Sequence, residues 1–142
     1  MPDHNDANLI LRLYELRRED RMRQARNWFL SNFHFKSLTE FETACPFGSD
    51  ESASARMVAT YWEMVASFLN SGVLDRELFY KSGTEMLFCY LRLSAIIPET
   101  RERSKNPTIY GELEQAAEAM IEWMKARTPE GYEAFYKRAR GV

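Results

Sequence analysis

Residues 86–97 read "MLFCYLRLSAII", a run of twelve in which Arg92 and Ser94 stand among apolar side chains. The apolar residues fall nearly all round a helical wheel, so the segment reads as a helix buried at the centre of a bundle. Its longest unbroken apolar piece, "MLFCYL" at 86–91, is far short of the ~20 residues that cross a bilayer. A helix apolar on every side needs other helices to cover it, and the rest of the chain supplies them.

Upstream, Val58, Tyr61, Trp62, Val65, Phe68 and Leu69 lie on one face of a helix expected from about Asp50 to Ser71. Gly72 suits the left-handed position that ends such a helix, and Asp75 can cap the next one. That next helix runs toward Ile97, with a break expected near Ser82-Gly83. Further back, Leu9, Ile10, Leu13 and Leu16 form a first apolar stripe. Met22, Ala25, Phe29 and Phe33 form a second, on a helix starting near Glu19 or Asp20. "SLTE" at 37–40 has the form of a capping box for a short helix to about Cys45. Downstream, Pro98 opens a charged turn or two, "PETRERSK". "NP" at 106–107 and "TP" at 128–129 each place a capping residue before a first-turn proline, so helices are expected at 107–127 and from 129 to near Arg140. No stretch alternates long enough to suggest a strand. The expected fold is all-α, residues 1–142 forming a single compact bundle of six to eight helices.

A chain of 142 residues, 45% hydrophobic and 13% aromatic, can bury a core without metal or disulfide staples. Two cysteines, Cys45 and Cys89, suit a reducing cytoplasm better than a disulfide framework. The polar start "MPDHNDAN" has no secretory-signal core behind it. No membrane association is expected.

The most conspicuous charge pattern is "RLYELRREDRMRQAR" at 12–26, six arginines in fifteen positions with three acidic residues. Glu15 lies three residues before Arg18 and Glu19 four before Arg23, so some arginines have helical partners at hand. Net charge is −2, which gives no general drive toward nucleic acid. These arginines therefore read as solvated helix faces, with a phosphate or RNA contact as the lesser alternative, and nucleic acid is not an expected partner.

Catalytic and metal motifs do not appear. His4, His34, Cys45 and Cys89 are the nitrogen and sulfur ligands available, without C-x-x-C or H-E-x-x-H spacing. No metal or other cofactor is expected, nor is a G-x-S-x-G elbow or a clustered glycine loop present. Two charges do stand out. Glu63 in "YWEMV" and Arg92 in "FCYLRLSAII" sit in apolar surroundings, where a charge must be paired or must reach water. The expectation is that Glu63 pairs with Arg92, or with Arg101 just past Pro98. Such a pair is either a structural ion pair or the base of a small-molecule or anion pocket.

Three stretches together, "LYELRREDRMRQARNWF", "YWEMVASFLNSGVLDRELF" and "IIPETRERSKNPTIYGELE", resemble a bacterial family classed as a domain of unknown function. The resemblance runs from about Leu13 to Trp123, and "G-x-L-D" at 72–75 is its clearest turn signature. It implies a small helical protein of bacterial origin. Some members carry an N-terminal membrane helix, which this sequence lacks. No activity or catalytic residue follows from it. The resulting expectation is a non-enzymatic helical module that binds a protein partner or itself. Phe47, Tyr110, Tyr132 and Tyr136 are the candidates for an exposed aromatic surface. The alternative is an anion or small-molecule pocket, possibly enzymatic, around Glu63 with Arg92 or Arg101.

Overall fold

Side-chain caps open six of the helices. In the computed structural model, which describes residues 1–142, the helices are α1 (His4–Arg18), α2 (Asp20–Asn32), α3 (Leu38–Ala44), α4 (Asp50–Ser71), α5 (Arg76–Tyr80), α6 (Thr84–Leu93), α7 (Ile97–Ser104), α8 (Gly111–Arg127) and α9 (Pro129–Arg140). There is no strand. Asp3 and Asp6 form a reciprocal capping box that starts α1 at His4, ahead of its apolar stripe. Glu19 takes the Arg21 and Met22 amides to open α2 immediately after α1 ends. Gly72 adopts φ 86° behind α4, and Asp75 caps α5 through the Leu78 amide. Ser37 caps α3 through the Glu40 amide. The Leu38 amide donates to Glu99 of α7.

The nine helices exceed the expected six to eight, and two segments account for the difference. The break at Ser82-Gly83 separates α5 from α6, and the supposed charged turn at 98–105 is the helix α7. A helix with charge on most sides leaves little periodicity to detect. The helix expected from Pro107 instead begins at Gly111. Asn106 accepts from the Thr108 amide and hydroxyl, closing a local turn. Lys105 and Tyr110 both take positive φ there, 54° and 56°.

The core follows the expected logic. Seven of the ten α6 residues are buried, Met86, Leu87, Cys89, Tyr90, Leu91, Arg92 and Leu93, where α6 packs against α4, α8 and α9. Helix α4 lies between α2 and α8 and buries Trp62 completely. The first stripe is less buried than its spacing suggests. Only Leu13 of α1 is buried, and Leu16 is exposed. A bond of 2.6 Å from the Tyr61 hydroxyl to the Leu13 carbonyl ties α1 to α4. Burial pushes that phenol up to about 12.

Candidate functional site

Glu63 does not pair with Arg92 or Arg101. Its carboxylate receives the Leu113 amide at 2.8 Å and the Glu112 amide at 3.3 Å, so it caps α8 from a neighbouring helix. The reason lies at the displaced start of α8. Tyr110 in a left-handed conformation offers no side-chain cap, and the first amides of a helix attract an anion. Arg101 works on the same corner, donating from Nε to the Ile109 carbonyl at 2.8 Å and from Nη1 to Glu114 at 3.2 Å. Both residues hold the 105–110 turn against α8. Replacing Glu63 with alanine should cost about 1–2 kcal/mol, which a urea titration would register as a lower midpoint at unchanged slope.

Arg92 is the buried charge that sequence reasoning located, at 7% exposure. Its partners are carbonyls rather than a carboxylate. Nε donates to Ala139 at 3.0 Å, and Nη1 to Leu30 at 2.7 Å and Phe29 at 3.4 Å. These oxygens belong to the last turns of α9 and α2, so one guanidinium serves the negative ends of two helices. The Phe88 ring lies 4.4 Å from its central carbon. Nη2 makes no hydrogen bond within the chain. Burial lowers the Arg92 pKa from its ordinary value.

Arg92 forms the floor of a cleft of about 190 Å³. Its other basic side chains are His34, Lys36 and Arg140, and Phe33 and Phe35 supply the apolar wall. Where α2 ends, "FHFK" at 33–36 leaves the helix, burying Phe33 and half-burying Phe35 while His34 and Lys36 stay exposed. Arg140 is positioned from α9 by a 2.9 Å bond to the Ser94 hydroxyl. Partial desolvation against the cleft, with the Arg92 charge nearby, lowers the His34 imidazole from its ordinary value. No acidic side chain lines the cleft. Sequence reasoning found Arg92 but missed His34, Lys36 and Arg140. The short alternation in "FHFK" was the available signal.

No group of three or more His, Cys, Asp or Glu side chains comes together as a metal site. Cys45 and Cys89 are free and buried, and burial pushes both thiols up. Of the aromatic candidates, Phe47 and Tyr136 are exposed, whereas Tyr110 and Tyr132 are half-buried.

A family model described as "Domain of unknown function (DUF4760)" matches residues 2–123. The chain belongs to this family. The DUF4760 match ends inside α8, so it contains His34, Lys36 and Arg92 but leaves out the α9 wall that carries Arg140. No curated protein and no solved structure matches the chain. No helix is long and apolar enough to cross a membrane. DUF4760 carries no assigned activity.

Proposed function

We propose that this chain is a non-enzymatic helical binding module that holds a small anionic group in the Arg92 cleft. The observation carrying this reading is a buried guanidinium with no carboxylate partner, beside Lys36 and Arg140. Carbonyl dipoles satisfy Nε and Nη1 but bring no formal negative charge. Three basic heads share one small cleft, and an anion there relieves their repulsion while giving Nη2 an acceptor. The cleft contains no hydroxyl, thiol or carboxylate beside His34, which favours holding an anion over transforming it.

Inorganic phosphate is the probe, with chloride at matched ionic strength as the reference. At 100 times the dissociation constant, binding adds about 2.7 kcal/mol, roughly 5–10 °C in melting temperature for a chain of this size. A Lys36→Ala, Arg140→Ala double variant alters two exposed side chains, so it should fold normally and lose that shift. An equal shift in the double variant would defeat the reading.

A second reading, self-association, rests on α9. Tyr132 and Tyr136 have ring centroids 6.2 Å apart, and with Pro129 and Lys125 they border a shallow cleft of about 480 Å³. An exposed tyrosine, Tyr136, beside the half-buried Tyr132 suits a protein contact. Native mass spectrometry of the purified chain separates the two readings. Retained anion mass on a monomer supports the cleft, and a stable dimer without added mass supports the α9 face.

A further inference from the structure

We propose that a second cleft, between the α1–α2 corner and the start of α6, binds a diphosphate group. The corner at Glu19 folds the arginines of "RLYELRREDRMRQAR" back on one another. Arg17, Arg18, Arg23 and Arg26 then line one opening of about 400 Å³ with Ser82 and Thr84 opposite. The expectation of solvated faces holds for Arg12, Arg18, Arg21 and Arg23, which are exposed; of these, Arg12 and Arg21 lie outside this opening.

Charge accounting sets this cleft apart from an ordinary wet helix face. Its one acidic side chain, Glu85, is fully committed, with Arg26 Nε and Nη2 each 2.7 Å from a different carboxylate oxygen. That bidentate pair is neutral and rigid. Arg17 and Arg18 take part in none of the chain's ion pairs. Aromatic rings hold them in place instead. The Arg17 guanidinium lies 5.2 Å from the Trp62 ring centroid, and Arg18 lies 5.4 Å from that of Tyr14 while donating to its hydroxyl at 3.2 Å. Stacking fixes a guanidinium without neutralising it. Arg23 has only an exposed contact with Asp20 of its own helix, which contributes little.

The far wall presents donors. The Ser82 and Thr84 hydroxyls flank Gly83, and α6, ten residues long, begins with no side-chain cap. Gly83 is required there, since a Cβ would meet the Phe79 ring at 2.3 Å. Two guanidinium groups without an ion pair, Arg17 and Arg18, and a third, Arg23, held only by the exposed Asp20, line the opening with Ser82 and Thr84, which suits a polyanion with several acceptor oxygens, as a diphosphate is. The opening, about 400 Å³, has room for two phosphoryl units. This assignment is independent of the Arg92 cleft.

Isothermal titration with inorganic pyrophosphate at fixed ionic strength is the test. It compares wild type with Arg18→Ala, Arg23→Ala and with Lys36→Ala, Arg140→Ala. All four side chains are exposed, and matched melting curves in buffer confirm folding. The proposal expects the first variant to lose affinity at least roughly tenfold and the second to bind as wild type does. Loss confined to the second variant would assign pyrophosphate to the Arg92 cleft and overturn the proposal. So would the absence of binding at millimolar pyrophosphate, whether or not a single-stranded oligonucleotide binds. A parallel titration with a nucleoside diphosphate distinguishes the source, because tighter binding than pyrophosphate would mean that the natural ligand carries a base.

Discussion

Replacing Arg92 with methionine should destabilise the protein by about 3–5 kcal/mol, lowering the melting temperature by roughly 10–15 °C. Methionine fills much of the same volume, so the loss reports the charge and its donors rather than a cavity. The Leu30 and Ala139 carbonyls at the ends of α2 and α9 would lose their guanidinium donor, while the Phe29 carbonyl keeps the Phe33 amide. Lysine should recover less than half of the difference. A single ammonium cannot reproduce a planar fork that reaches Ala139 on one side and Leu30 on the other. Thermal melts of the three proteins check the order. A methionine variant melting within 2 °C of wild type would mean that water serves those carbonyls equally well. The same variants connect to binding, since phosphate should stabilise wild type and leave Arg92→Met unchanged.

Most of the architecture was legible because helix signals are local. The all-round apolar character of residues 86–97 marked α6 as central, and Gly72, Asp75 and Thr128 capped or ended helices as their residue types suggest. The failures share a physical origin. Glu63 was legible as a charge needing a partner, but opposite charges are visible in a sequence and backbone amides are not. Its partner became available only because α8 starts at Gly111, after a turn in which two non-glycine residues adopt positive φ. Arg92 was likewise legible as a charge in apolar surroundings that needs partners or water, while its carbonyl partners depend on where two other helices end. The Arg92 cleft joins residues from the end of α2, the middle of the chain and the end of α9. No periodicity on a single element brings these together. The arginines at 12–26 were legible as a cluster, but their convergence depends on Glu19 capping α2 without an intervening loop.

Phe33→Ala should be comparably damaging, at about 3–5 kcal/mol, because Phe33 joins the core to the cleft. Its ring is fully buried and stacks on Phe29 with centroids 4.5 Å apart. Phe35 meets it edge-on at 5.0 Å, Phe41 packs at 5.3 Å, and Trp28 approaches at 6.4 Å. Phe33 also separates the Arg92 cleft from an apolar cleft of about 160 Å³ bordered by Phe41, Leu93 and Tyr110. Alanine removes that partition, so neighbouring rings lose contacts that a partial collapse cannot restore. Leucine retains part of the buried surface and should lose less than alanine. Function should fail along with stability. His34 and Lys36 are held over Arg92 by the burial of the two phenylalanines in "FHFK", and loosening one frees both basic side chains. The alanine variant should therefore unfold at lower urea and show a smaller phosphate shift than wild type, even at temperatures where it is fully folded. A variant that is destabilised but keeps the full shift would show that Arg92 and Arg140 position the anion without the 33–36 segment.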